Sequence, residues 1–187
     1  MCCKLQNEWE ERLSEVRHQE NPITAWKTLR VVPTSTHGFT LISPYQGTDA
    51  TNNGTGFSNI FAWQQGENVS NRTNPKMMPI EIKEKSVTFG IHSFLHQQDA
   101  EDFLKIITKH QGDTGFVAGV VLPVTISQKN VIAIGNCDYG SAEVVVATKA
   151  TLTETPTLKN VITNESYQRS QYSTPWETNI TVDLQPA

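Results

Sequence analysis

Three polar side chains have the types and positions needed for catalysis. His37 belongs to a His-Gly pair after a predicted strand, His92 precedes the most regular predicted helix, and Glu143 begins an apolar, β-branched run. Histidines at strand ends can bind a ligand or act as a general base, and a carboxylate at a sheet edge can act as an acid. Each also has an ordinary interpretation, as a polar loop residue or as the exposed start of a strand.

Four further residues, aromatic or cationic, are predicted to bind a ligand: Trp26, Lys27, Tyr45 and Phe94. Tyr45 begins a polar segment, residues 45–79, that is predicted to be irregular apart from apolar side chains that anchor its middle. Loops of this length are uncommon in compact domains unless they are functional or mobile. Recognition usually resides in loops held on a rigid sheet.

Metal and thiol chemistry receive little support from the sequence. His92 and His96 are four residues apart, but no third ligand stands at zinc-site spacing, so no metal is predicted. Cys2, Cys3 and Cys137 form no disulfide framework. Cys137 is expected to be a buried structural thiol, whereas the roles of Cys2 and Cys3 stay open. The sequence has no phosphate-binding glycine loop and no nucleophile elbow, which favours binding over catalysis and predicts no cofactor.

Composition limits the classes of partner. The chain has 187 residues, a formal net charge of -4 and no cluster of basic residues. Binding to nucleic acid depends on clustered Lys and Arg, so dedicated nucleic-acid binding is not expected. The N-terminus lacks the apolar stretch of a signal peptide, and no apolar run has transmembrane length. The sequence therefore predicts a cytoplasmic protein without a membrane partner.

Hydrophobic periodicity predicts an α+β protein with a mainly antiparallel sheet, two helices and a long irregular loop. A single domain with an N-terminal helix is predicted over residues 1–152, followed by an extended tail over 153–187. The predicted helices are 4–19 and 97–110, and the predicted strands are 23–32, 39–42, 79–83, 86–89, 115–126, 131–134, 143–152 and 179–184.

The order of several segments resembles a group of small uncharacterised bacteriophage proteins, over about residues 23–152. The segments are Ala25-Trp26-Lys27, Gly90-Ile91-His92-Ser93-Phe94, Asp99-Ala100, and the strand regions 121–133 and 142–152. This resemblance implies a viral accessory protein in the host cytoplasm, with a host-directed role such as anti-defence. It implies no particular activity.

A second set of segments resembles the His-Tyr-Glu triad of ADP-ribosyltransferase-like folds. The resemblance implies that His37 binds the nicotinamide ribose of NAD, that His92 faces the nicotinamide, and that Glu143 is the catalytic acid. His92 stands where that family has Tyr, and Phe39 stands where a small hydroxyl residue is usual.

The leading hypothesis is a small intracellular binding protein that modulates a host protein or binds a small nucleotide, without a cofactor. The first alternative is an ADP-ribosyltransferase-like enzyme that uses NAD. The second is a virion structural component, which the Thr- and Asn-rich tail favours. Association of the chain with copies of itself stays open.

Overall fold

The computed structural model describes residues 3–33, 39–44, 63, 65–70, 86–87, 90–110, 118–137, 140–153 and 162–163. Within this part of the chain there are two helices and one sheet, and every strand pair is antiparallel. The predicted α+β class is therefore confirmed.

The helices are α1 (Trp9–Arg17) and α2 (Gln97–His110). The strands are β1 (Cys3–Lys4), β2 (Ile23–Pro33), β3 (Phe39–Ile42), β4 (Gly66–Val69), β5 (Ser86–Val87), β6 (Ile91–Phe94), β7 (Ala118–Ile126), β8 (Val131–Cys137), β9 (Glu143–Ala147), β10 (Lys149–Leu152) and β11 (Ile162–Thr163). Nine strands follow one another in the order β4-β10-β7-β2-β6-β9-β8-β1-β5, and β3 and β11 pair beside this path with β2 and β7.

The long strand β2 organises the sheet. One edge of β2 pairs with β7 continuously, from Ile23 opposite Ile126 to Val31 opposite Ala118. The other edge has two partners, because β6 pairs at Trp26 and β3 pairs from Arg30 onward. Residues 27–29 therefore lie between two different neighbouring strands on that edge.

Alternation of side chains along the strands divides the apolar residues into two cores. One core, which we call the α1 face, contains Leu13 of α1 with sheet residues Ala25, Leu29, Val31, Ile91, Val120, Val124, Val145 and Ala147. The other, the α2 face, contains Ala100, Phe103, Leu104 and Ile107 of α2 with sheet residues Cys3, Val87, Phe94, Ala133, Cys137, Val144 and Val146. The two helices thus cover opposite sides of the sheet.

Helix α2 has the bounds that its periodicity predicts. The apolar residues at helical spacing, Ala100, Phe103, Leu104 and Ile107, are buried, whereas Ile106 is exposed. Thr28 Oγ1 donates to the carbonyl of Ala100 at 3.1 Å. Helix α1 is shorter than the predicted helix 4–19, and that prediction was wrong at its start. Cys3 and Lys4 form a strand because they fill the place between β8 and β5.

Three further predictions need correction. The single strand predicted over residues 143–152 is two strands, β9 and β10, because β9 pairs with β6 and β8 whereas β10 pairs with β4 and β7. Residues 66–69, expected to be irregular, form the strand β4 because β10 pairs with all four residues. Residues 91–94, expected to connect a strand to α2, are themselves the strand β6. Residues 162–163 of the predicted tail pair with β7. The predicted strands at 79–83 and 179–184 lie outside the described residues.

Candidate functional site

Lys27 is the most unusual polar residue of the described chain. It shares the α1 face of β2 with Ala25 and Leu29, and its side chain is almost completely buried. Its Nζ donates to the main-chain oxygen of His92 at 2.8 Å. An ammonium group has three donors, so among the described residues one bond uses only part of its hydrogen-bonding capacity. Burial lowers the pKa of Lys27 to about 7, because the charged form loses its hydration.

The amine of Lys27 lies where the strand beside β2 changes from β6 to β3. Trp26 pairs with Phe94 of β6, whereas the next residues of β2 precede the pairing with β3. Lys27 therefore lies at the opening between β6 and β3, where it satisfies a carbonyl of β6. Among the described residues, no carboxylate is within ion-pair distance of Lys27, so its charge is not balanced by a nearby acid.

Trp63 forms an aromatic wall beside the amine. Lys27 Nζ lies 5.7 Å from the centroid of the Trp63 ring, which is within cation–π distance. The tryptophan is held by main-chain and side-chain bonds, since its N–H donates to the carbonyl of Leu41 at 2.8 Å and its indole N–H donates to Ser43 Oγ at 3.2 Å. The expectation that segment 45–79 is anchored by an apolar side chain is confirmed for Trp63.

Ser93 lies beside Lys27, on the neighbouring strand β6. Since Trp26 is opposite Phe94, the next pair of positions brings Lys27 alongside Ser93, and both belong to the α1 face. Ser93 is fully buried, and its Oγ has no hydrogen-bond partner among the described residues. Buried hydroxyl groups are normally paired, so this one is available to a group that enters the site.

His92 lies on the opposite side of the sheet from Ser93 and is a core residue. Its Nε2 is 3.0 Å from the carbonyl oxygen of Val87, and its Nδ1 is 3.3 Å from that of Gly90. Burial, with a contribution from the charge of Lys27, lowers the pKa of His92 to about 4. The neutral ring has one N–H, and we assign it to Nε2, which has the shorter contact and donates to the carbonyl of Val87. The ring therefore connects β5 to β6.

Glu143 forms an ion pair with Arg12 of α1. Both side chains are about one-third exposed, at 28% for Glu143 and 37% for Arg12. The backbone around Glu143 is also engaged, because the N–H of Leu95 donates to its carbonyl at 3.0 Å. The contacts of Glu143 join helix α1 to the start of β9, which is an interior strand of the sheet.

The structure does not bring together the two described members of the predicted catalytic set. In β9, Val145 belongs to the α1 face and Val144 and Val146 to the α2 face, so Glu143 projects toward α1. His92 is paired with Val146 and projects to the other side. The sheet therefore separates the imidazole from the carboxylate. His37 lies outside the described residues.

The predicted ligand-binding set is divided in the same way. Phe94 is buried and packs on Phe103, with ring centroids 5.2 Å apart, and Trp26 packs in the same core. Lys27 projects to the other side of β2, and Tyr45 lies outside the described residues. Lys27 is thus the member of the set around which the described structure builds a polar site.

Sequence reasoning missed two residues beside Lys27. Ser93 belongs to the segment 90–94, and its alternation with Ile91 places both on one face, but only the register between β2 and β6 brings Ser93 beside Lys27. Trp63 is predicted from the sequence only as an anchor of segment 45–79, because its approach to β2 depends on contacts with Leu41 and Ser43 of another segment. Lys27, Ser93 and Trp63 therefore form a buried cluster of one amine, one hydroxyl and one indole.

In the part of the chain that the structure describes, no three His, Cys, Asp or Glu side chains are grouped as a metal site. No described helix has the length and apolar character needed to span a membrane. Comparisons with protein-family models, with curated proteins and with solved structures found no match.

Proposed function

We propose that the protein binds a small nucleotide-type anion, with Lys27 as the group that recognises the negative charge. The observation that carries the proposal is the burial of the Lys27 amine with no described carboxylate to balance it. A buried charge without a counter-ion is costly in a protein interior. An anionic ligand would supply the missing counter-charge, which gives the site a physical reason to bind one.

The neighbours of Lys27 suit this class of ligand. Trp63 has an aromatic ring of the kind on which a base can stack, and Ser93 has a hydroxyl that can donate to a phosphate oxygen. Both side chains are buried, so binding requires local opening of the site. A cation, an aromatic ring and a hydroxyl together match the phosphate and base of a nucleotide. Sequestering or sensing a nucleotide is an accessory role of the kind that the resemblance to bacteriophage proteins implies.

The protonation state of Lys27 supplies a distinctive signature. Because burial places the pKa of Lys27 at about 7, the amine is only partly charged at neutral pH. An anion stabilises the charged amine, so binding raises this pKa and takes up a proton. Above about pH 7 the affinity should therefore fall by up to about tenfold per pH unit.

The test is isothermal titration of the purified protein with a panel of mononucleotides, cyclic nucleotides, dinucleotides and NAD, at about pH 7 and about pH 8.5. We expect at least one nucleotide to bind, with proton uptake and weaker affinity at the higher pH. Lys27→Met should abolish binding, and Ser93→Ala should weaken it. Lys105→Met is the matched control, because Lys105 is exposed on α2 and pairs with Asp102.

Binding that is equal in the wild type and in Lys27→Met would contradict the proposal, as would affinity that does not change with pH. If no nucleotide binds at all, a host protein becomes the better explanation, and a pull-down from host lysate would identify it. The NAD-using enzyme is tested in the same experiment. It requires turnover of NAD that is lost in Glu143→Gln, whereas the proposal expects no such loss.

A further inference from the structure

Cys3 and Cys137 occupy directly opposite positions in neighbouring strands. Cys3 of β1 is paired with Cys137 of β8, and both side chains are buried in the core on the α2 face. Both residues are in the thiol form. Their approach is created by the fold, because β1 enters the sheet between β8 and β5.

The hydrogen bonds show which kind of antiparallel pair this is. The N–H of Cys137 donates to the carbonyl of Ala142 at 2.8 Å, so the main-chain groups of Cys137 point toward β9. In an antiparallel ladder, the N–H and C=O of one residue point to the same side. Cys3 and Cys137 are therefore a non-hydrogen-bonded pair, in which the Cα atoms are about 4.5 Å apart and the side chains are closest. That separation lies within the range of disulfides.

Space for the sulfur atoms is provided by Gly135. A Cβ on Gly135 would lie 2.8 Å from Cys3 Sγ and would also meet the carbonyl oxygen of Lys4. The Sγ of Cys3 therefore occupies the space above a residue without a side chain. To meet the sulfur of Cys137, the Sγ of Cys3 must leave this position by rotation about χ1.

We propose that Cys3 and Cys137 are an oxidation site, which a low-molecular-weight disulfide converts to an intramolecular disulfide. One protein thiolate attacks the small disulfide, forming a mixed disulfide and releasing one small thiol. The second protein thiolate then attacks the protein sulfur of that mixed disulfide and releases the second small thiol. Two protein thiols are oxidised, one small disulfide is reduced, and the two thiol protons end on the released thiols.

Local opening of β1 gives the reagent access to the buried thiols. The strand has two residues, so few main-chain bonds hold it between its neighbours. Once formed, the disulfide fastens β1 to β8 and closes a long loop of the unfolded chain. Such a cross-link raises stability by restricting the unfolded state. The inference is independent of the nucleotide site, which lies on the α1 face.

The test uses the full chain of the Cys2→Ser variant, incubated with oxidised glutathione, alkylated and mapped by mass spectrometry without reduction. Cys2→Ser is needed because trypsin cleaves after Lys4 and leaves Cys2 and Cys3 on one peptide. We expect that peptide to be linked to the peptide containing Cys137. The oxidised protein should have a higher melting temperature, which dithiothreitol reverses.

Two controls separate this pair from other thiol reactions. Cys3→Ala, which keeps Cys2, should give little linkage to Cys137, and far-ultraviolet circular dichroism should show that it folds. If Cys2→Ser gives only glutathione adducts, only linked dimers, or intact thiols even in urea just below the unfolding transition, the proposal is wrong. Equal linkage through Cys2 in Cys3→Ala would also overturn it.

Discussion

The Nζ atom of Lys27 donates to the main-chain oxygen of His92 at 2.8 Å, across the place where β2 exchanges one partner strand for another. The bond satisfies a carbonyl group that the sheet leaves available and holds a basic amine inside the protein. Because the amine is buried, its protonation is coupled to folding. The stability of the protein should therefore report the state of the proposed binding site.

The first prediction concerns stability above neutral pH. Lys27 has a pKa of about 7 in the folded protein and about 10.4 in the unfolded chain, so the unfolded state binds more protons between these values. The Lys27 contribution to the free energy of unfolding should rise with pH, by about 1.4 kcal/mol per unit. Denaturant unfolding of wild type and Lys27→Met, at about pH 7, 8 and 9, isolates this contribution.

Lys27→Met should remove that slope, while Lys105→Met should keep it, because Lys105 lies on the surface of α2. At about pH 7 the substitution removes a buried amine but leaves the His92 carbonyl without its donor, a loss of about 1–3 kcal/mol. The two effects oppose each other, so the pH slope is the decisive observable. Identical slopes in the wild type and Lys27→Met would refute the prediction.

The second prediction concerns acid. Burial lowers the pKa of His92 to about 4, below the unfolded value of about 6.5, so the unfolded chain binds more protons in this interval. The contribution of His92 to stability is complete above about pH 6.5 and is lost as the pH falls through about 4, by about 3 kcal/mol. The loss of stability on acidification should be smaller in His92→Gln than in the wild type. In His96→Gln, in which an exposed residue is replaced, the loss should equal that of the wild type. Acid unfolding curves measure the difference.

The third prediction concerns the ion pair between Arg12 and Glu143. Both groups are about one-third exposed, so solvent screens their attraction, and the pair should contribute no more than about 1 kcal/mol. A double-mutant cycle with Arg12→Ala and Glu143→Ala measures this coupling, which should decrease at high salt. The exposed pair of Lys149 and Glu67 is the comparison, and its coupling should be smaller. A coupling of several kcal/mol would contradict the prediction that solvent screens this pair.

The fourth prediction concerns Gly135. A methyl group there would meet the carbonyl oxygen of Lys4 and Cys3 Sγ, so β1 must move away from β8. Gly135→Ala should therefore lower the free energy of unfolding by about 1–3 kcal/mol and increase the alkylation rate of Cys3 and Cys137. Gly140→Ala is the comparison, because its new methyl group meets no atom within 4 Å, although its φ of 142° favours glycine. Gly140→Ala should leave the alkylation rate unchanged.

Elements defined by local signals were predictable from the sequence. Helix α2 has its apolar residues at helical spacing and acidic residues near its start, and its bounds agree with the prediction. Strand β2 is rich in β-formers and was placed within one residue at its end. By contrast, β1 has only two residues and β4 only four. Each forms a strand because it pairs with a strand distant in the sequence, β1 with β8 and β4 with β10. No local pattern can reveal such pairing.

The candidate site was predictable only in part. The sequence predicts Lys27 as a ligand-binding residue but does not predict its burial. Lys27 alternates with Ala25 and Leu29 on the buried face of β2, a position at which lysine is rare. The separation of His92 from Glu143 depends on strand register, and a shift of one residue would have placed both on one face. Register between β6 and β9 is fixed by long-range packing, so chain order alone could not show it.

The position of β1 in the sheet also determines when the fold can be completed during synthesis. Gln6, just beyond β1, bonds to Asn136 of β8, a residue 130 positions later in the chain. The ribosome must therefore release β8 before the first strand can find its place. Until then Cys3 and Leu5, which end in the core, have no apolar surface of β8 to cover them. Because β9 joins β8 to β6, nascent chains that end before β9 should depend on chaperones more than chains that include β9.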